Sequence, residues 1–176
     1  MNKAPHIADA QSWAMLFLLS AIWGGSFLFI AIAIKELATV QIVFARLAIA
    51  LVCILPLHFI LQGKLPREGR VWVAAAGMSI MNNIIPFTLI TWGQQYITGG
   101  VASVVNATTP MLAALFMAMA GYEAITRRKM VALIIGLIGV GVLQGVNFDG
   151  LSQQSFGIFA VVLAAAFYGL SAPWSK

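Results

Sequence analysis

The chain has 176 residues, of which 61% are hydrophobic and only 9% are charged, and its mean hydropathy is +0.96. Soluble domains carry about 25% charged residues, so this composition excludes an ordinary soluble protein and indicates an integral membrane protein. The net charge of +5 does not indicate nucleic-acid binding, because the basic residues lie in short patches between apolar runs. The expected partner is the lipid bilayer, and no nucleic acid.

Six apolar runs follow one another along the chain and predict an all-α, polytopic bundle of six transmembrane helices. The runs are Trp13–Ile34, Val40–Leu61, Val71–Trp92, Gly100–Gly121, Met130–Val146 and Phe156–Trp174. Each is at or within the about 17 to 25 residues expected of a membrane span, and Met130–Val146 is the shortest. The first run is longer than the apolar part of a secretory signal, about 7 to 15 residues, so we interpret it as an uncleaved helix.

Basic residues lie mainly on one side of this predicted bundle. That side carries Lys3, Lys64, Arg67, Arg70, Arg127, Arg128, Lys129 and Lys176. The opposite side has only Lys35, and Arg46 lies within the second run. The positive-inside rule then places both ends and the even-numbered connections in the cytoplasm of a bacterial inner (plasma) membrane.

The fourth run contains a proline well inside an uncharged stretch. Pro110 has no N–H to donate to the carbonyl four residues earlier, which belongs to Asn106. The third run repeats this Asn-x-x-x-Pro pattern with Asn82 and Pro86. We therefore treat both prolines as candidate hinges, and we expect both carbonyls to be free for a neighbouring helix, water or a substrate.

Polar side chains recur at helical spacing on these two runs and give each a partly polar face. The members are Asn83, Phe87, Thr91 and Gln94 on the third run and Ser103, Asn106 and Pro110 on the fourth. The amides either form hydrogen bonds between helices or line a central cavity. Two prolines beside three asparagines favour the cavity, because irregular backbone inside a membrane is tolerated mainly where protein or water surrounds it.

Arg46 is the one formal charge clearly within a run, about 10 Å below the outer boundary. Its guanidinium either extends outward to the interface or faces the cavity and binds a substrate carboxylate or phosphate. Trp23 and Ser26, beside two glycines at mid-depth of the first run, either pack or contact a ligand. No Asp or Glu lies deep in a run, so the sequence shows no carboxylate proton relay.

Patterns typical of catalytic or metal sites are missing from the sequence. His58 lies near the cytoplasmic end of the second run and His6 lies in the tail, so Ser26 has no well-placed base. We expect no enzyme activity, no cofactor and no metal. The single cysteine, Cys53, is expected in the core or facing lipid.

Motifs along most of the chain resemble the EamA-type drug/metabolite transporter superfamily. They are Trp23-Gly24-Gly25-Ser26-Phe27, Arg46, the segment from Thr98 to Pro110, Gly121-Tyr122-Glu123 followed by Thr126, and the series Gly136, Gly139 and Gly141. Their order and spacing together carry the resemblance. It implies part of a ten-helix transporter made of two inverted five-helix repeats, which binds substrate between the repeats and alternates access between the two sides.

On this resemblance, residues 1–12 are a cytoplasmic tail, 13–146 the first repeat, and 147–176 a periplasmic loop with the first helix of a second repeat. The sequence is then expected to be a fragment that lacks a C-terminal repeat, and a homodimer is also considered. The expected function is transport of small metabolites, as an exporter of amino-acid-like or amphipathic compounds. The expected substrate-binding residues are Trp23, Ser26, Arg46, Asn82, Asn83, Asn106 and Thr109, and the expected hinges are Pro86 and Pro110.

The alternative is a non-transporting membrane subunit that packs against a partner through its glycine-rich faces. Small residues four positions apart mark where helices approach closely. The pairs are Gly99 with Ser103, Gly141 with Gly145, and Ala165 with Gly169.

Overall fold

The computed structural model describes residues 10–61, 63–124, 126–143 and 153–174, and within them it contains helices and no strand. The helices are α1 (Ala10–Ala33), α2 (Thr39–Leu61), α3 (Gly69–Ser79), a π-helical turn (Ile80–Ile84), α4 (Ile85–Gly93), α5 (Gly99–Asn106), α6 (Thr109–Met119), α7 (Arg127–Leu143) and α8 (Gln153–Trp174). The expected N-terminal tail up to residue 9 and the expected loop at 147–152 lie outside the described residues.

Five helical segments are long and apolar enough to cross a membrane. They are Ala10–Ala33, Thr39–Leu61, Gly69–Gly93, Gly99–Met119 and Gln153–Trp174. The prediction of an all-α membrane bundle is thereby confirmed. The remaining predicted span corresponds to α7, whose 17 described residues extend about 25 Å, and its expected end at Val146 lies outside the described residues.

Helix α8 lies at the centre of the described bundle, with α4 on one side and α6 on the other. Its Val161, Ala164 and Ala165 are fully buried. Close approach depends on glycines: a Cβ built on Gly157 would lie 2.8 Å from the carbonyl oxygen of Gly93, and one on Gly169 would lie 2.9 Å from backbone atoms of α6. The predicted close contact at Ala165 and Gly169 is therefore confirmed.

Two further predicted close contacts have different outcomes. A Cβ on Gly99 would lie 3.0 Å from the carbonyl oxygen of Phe27, so α5 approaches α1 closely, as predicted. Gly145, of the predicted pair Gly141 and Gly145, lies outside the described residues. Gly121 follows α6 with φ +77°, a conformation that favours glycine and ends the helix there.

Helices α1 and α2 form the outer part of the bundle. The buried residues of α1 are Phe27 and Ile30, and those of α2 are Ile42 and Val43. Large apolar side chains cover their other faces, which suits contact with acyl chains. Cys53 is exposed on α2, so of the two expectations for it the lipid-facing one holds.

The two ends of the bundle are held by different contacts. At one end, Gln95 Nε2 donates to Thr39 Oγ1 at 3.1 Å and joins the α4–α5 connection to the start of α2. At the other end Lys129 pairs with Glu123, and the Trp72 indole donates to the carbonyl of Pro66. The basic connections lie at this second end.

Candidate substrate cavity

The first Asn-x-x-x-Pro segment keeps its helix continuous. Pro86 lies in the first turn of α4 and is almost fully buried. The π turn comes directly before it, and the N–H of Ile85 bonds to the carbonyl of Ile80. A π turn takes in one extra residue, which is one way for a helix to pass a position where the proline N–H is missing. Asn82 and Asn83 lie within this turn.

The second segment breaks its helix. Helix α5 ends at Asn106, and α6 begins at Thr109 with Pro110 in its first turn. The hydroxyl of Thr109 donates to the carbonyl of Asn106 at 2.7 Å. The expectation of a free carbonyl at Asn106 was therefore wrong, because a side chain three residues later replaces the N–H that proline lacks.

Both segments contribute to one cavity of about 500 Å³, which we call the large compartment. Its lining consists of Trp23, Asn82, Asn83, Phe87, Asn106, Ala107, Thr109, Pro110 and Tyr168. Five of the residues chosen from the sequence for substrate binding thus lie together, with one of the two candidate hinges. Pro86 is buried in the wall behind them.

A smaller space of about 20 Å³ surrounds Arg46, and we call it the arginine pocket. Its lining consists of Trp23, Ser26, Phe27, Ile30, Arg46, Phe87, Ile90 and Tyr168. The Cζ atom of Arg46 lies 4.2 Å from the centroid of the Phe87 ring, so the guanidinium packs on an aromatic face inside the bundle. The ion pair recorded among the described residues joins Lys129 to Glu123, so Arg46 has no carboxylate partner in that part of the chain.

The two spaces adjoin, because Trp23, Phe87 and Tyr168 line both. Tyr168, on α8, was missed by the sequence reasoning. Its hydroxyl is buried and has no hydrogen-bond partner among the described residues. A signal was present: Tyr168 lies inside an apolar run, whereas Tyr96 and Tyr122 lie in connections.

The two asparagines that follow the same pattern differ in their partners. The Ser171 hydroxyl lies 3.1 Å from Asn82 Oδ1 and 2.7 Å from the carbonyl oxygen of Tyr168, so it shares its one proton between them and links the π turn to α8, as the inter-helix interpretation predicts. Asn106 is buried, and its Oδ1 has no hydrogen-bond partner among the described residues. An unpaired buried oxygen is costly, which makes Asn106 a candidate ligand contact.

The predicted polar faces reach the cavity only in part. Asn83 and Phe87 line it, but Thr91 and Gln94 are buried outside it, and Gln94 Oε1 lies 3.1 Å from the position of a Cβ on Gly99, at the start of α5. Ser103 lies in a separate groove between α1 and α5. Helical spacing alone did not show where a neighbouring helix would cover each face.

Comparisons with known proteins agree with this architecture. Residues 11–144 match the EamA-like transporter family. An uncharacterized transporter of Archaeoglobus fulgidus is 29% identical over 89% of this chain and 56% of its own length, and the uncharacterized transporter YoaV of Bacillus subtilis is 25% identical over 92% and 56%. The chain spans about half the length of these curated relatives. No solved structure gives a significant match.

The family match covers most of the chain, and the described helices have the length and composition of membrane spans. This is a multi-pass membrane protein that belongs to the EamA-like transporter family.

Proposed function

We propose that this protein is a carrier that exports small amino-acid-like or amphipathic metabolites across a bacterial inner membrane by alternating access. Family membership and relatives described as transporters support the general function. The observation that carries the proposal is that all seven candidate binding residues line two adjoining compartments inside an apolar bundle. In such a bundle, intramembrane polar groups usually mark a substrate path.

Each group in the cavity has a proposed role. Arg46 attracts the anionic group of the substrate, and Ser26 lies in the same pocket. Asn83, Asn106 and Thr109 provide directional hydrogen bonds, whereas Asn82 shares its amide with Ser171. Trp23 forms an aromatic wall, and Pro110, at the break between α5 and α6, permits the bending that a change of access requires, whereas Pro86 is buried in the cavity wall.

The proposed orientation follows from charge. Basic residues lie within the connection at 62–68 and directly after the connection at 120–126. Both connections lie in the cytoplasm under the positive-inside rule. The compartments then lie near the membrane midplane and face a second repeat, which belongs to a longer chain or to a second copy. In inverted-repeat carriers, substrate binds at this interface between repeats.

Contacts made by the glycines count against the alternative of a non-transporting subunit. Gly93, Gly157 and Gly169 already pack against atoms of this same chain. The glycine faces between α4, α6 and α8 are therefore occupied within the bundle, whereas Gly24 on α1 and Gly139 on α7 have nothing within 4 Å of their Cβ positions.

An intramembrane enzyme built on Ser26 is also disfavoured. His58 lies near the end of α2, about 18 Å along the helix from the level of Arg46. Its ring contacts the carbonyl of Lys64 in the following connection. It is therefore too far from the arginine pocket to serve Ser26 as a base.

The proposal is tested with Arg46→Leu in proteoliposomes that are offered a mixture of free amino acids and their uncharged derivatives. The variant should insert and elute as the parent protein does but lose uptake. Arg128→Leu is the matched control, because it removes one exposed cation beside two others and should transport normally. Unchanged uptake by Arg46→Leu would remove this residue from the mechanism.

A further inference from the structure

The arginine pocket and the large compartment differ sharply in size and chemistry. The pocket offers about 20 Å³, which is room for one or two water-sized oxygen atoms, while the neighbouring compartment offers about 500 Å³. Its polar groups are the guanidinium of Arg46 and the hydroxyls of Ser26 and Tyr168, all of which can donate hydrogen bonds. The remaining lining is apolar and aromatic.

Two of these donors lack an ion-pair or hydrogen-bond partner in the described structure. Arg46 has no carboxylate partner there, and the buried Tyr168 hydroxyl has no hydrogen bond. The two side chains come from α2 and α8, and both line the arginine pocket. Burying unpaired donors in an apolar wall is costly unless a ligand completes them.

We propose that the arginine pocket binds the carboxylate of the substrate, with Arg46 and Tyr168 each donating to it, while the rest of the substrate lies in the large compartment. This rests on the proposed carrier function and names the substrate class. A planar carboxylate with two oxygens suits the small pocket better than a phosphate monoester, which has three free oxygens. Tyr168 is then a specificity-determining residue of the cavity.

The large compartment complements this anchor. The buried Oδ1 of Asn106 is an unpaired acceptor and suits an N–H group of the substrate. Neither described lining contains Asp or Glu, so an organic cation would meet Arg46 with no opposing charge. The expected substrates are monocarboxylates that carry an amino or amide N–H, and simple amines are excluded.

The experiment measures initial uptake into proteoliposomes from one equimolar mixture of L-amino acids, their amides, their decarboxylated amines and alkyl phosphates, read by mass spectrometry against protein-free liposomes. Compounds with a carboxylate should enter at least about tenfold faster than their matched amides, because one hydrogen bond to a charged group changes affinity by about that factor. Tyr168→Phe should slow carboxylate uptake about tenfold more than amide uptake, because a hydrogen bond to a charged group is stronger than one to a neutral carbonyl. Tyr122→Phe, which changes an exposed tyrosine in the α6–α7 connection, should alter neither rate.

The other outcomes separate the two proposals. Preferred uptake of amides, amines or phosphates, or equal slowing of every compound by Tyr168→Phe, overturns the carboxylate anchor and leaves the carrier function standing. Failure of the folded parent protein to take up any compound overturns the carrier function, and the anchor with it. Because Tyr168→Phe keeps the aromatic ring, its elution profile should match that of the parent.

Discussion

The two Asn-x-x-x-Pro segments share a sequence pattern but adopt different structures. Around Pro86 the helix continues through a π turn, and α8 holds the segment on both sides, at Gly77 through Trp174 and at Gly93 through Gly157. Around Pro110 the helix stops, turns over two residues and restarts, and a threonine hydroxyl bonds the carbonyl left by proline. The missing proline hydrogen bond therefore does not determine whether the helix continues or breaks. The packing around each segment does.

The difference suggests a division of roles within the cavity. The first segment forms a fixed wall, because its Asn82 is bonded to α8 and its proline is buried. The second segment keeps an unpaired Asn106 oxygen and an exposed Pro110. The second segment is therefore the part of the cavity that we expect to respond to substrate.

The largest expected effect comes from separating the fixed wall from α8. Gly157→Val would place a Cβ 2.8 Å from the carbonyl oxygen of Gly93 and 3.0 Å from Ile97 Cγ2 and Tyr96 Cβ. We expect a loss of about 2–3 kcal/mol in the free energy of unfolding, measured by thermal unfolding in detergent. Gly24→Val is the control, because nothing lies within 4 Å of its Cβ position. Equal stability of the two variants would show that this contact does not hold the wall.

A smaller effect should distinguish the threonine hydroxyls of the two segments. Thr109→Val leaves the Asn106 carbonyl without a donor and should cost about 1–2 kcal/mol. Thr88→Val removes a hydroxyl that donates to the carbonyl of Ile84. That carbonyl also accepts the first backbone hydrogen bond of α4, so the substitution should lower the free energy of unfolding by about 0.5 kcal/mol or less. Thermal unfolding of both variants measures the difference. Equal losses would mean that the broken helix does not depend on Thr109.

The smallest effect on stability is expected at Pro110. Pro110→Ala restores an N–H near the Asn106 carbonyl, so it should leave stability nearly unchanged but slow uptake severalfold by stiffening the break. Pro86→Ala opens a gap in a buried wall and should cost about 1 kcal/mol. Uptake and thermal unfolding are measured on the same preparations. Normal uptake by a stable Pro110→Ala protein would exclude the hinge role.

Much of the fold and part of the cavity were predictable from local sequence. The lengths of the apolar runs predicted the spans, and polar groups in those runs, such as Asn83 and Arg46, predicted the cavity walls. The rest depended on packing between distant segments. Tyr168 reaches the cavity only because α8 inserts between α4 and α6. The π turn and the Thr109 hydrogen bond each involve residues close in sequence. Because both segments have the same Asn-x-x-x-Pro pattern, that pattern does not predict which structure each one adopts.

The central claim is that the asparagine faces of both segments meet in a passage accessible to water. It is tested with Asn83→Cys, Thr109→Cys and Val104→Cys, each in a Cys53→Ser background and treated with a membrane-impermeant, positively charged thiosulfonate in open membranes. Asn83 and Thr109 line the large compartment, whereas Val104 is 52% exposed and outside both compartments. The account predicts modification at positions 83 and 109 and none at 104. In the unsubstituted protein, Cys53, which is exposed on α2, should also be unreactive because it faces lipid. Modification at 104 equal to that at 83 and 109, or no modification at the two cavity positions, would contradict it.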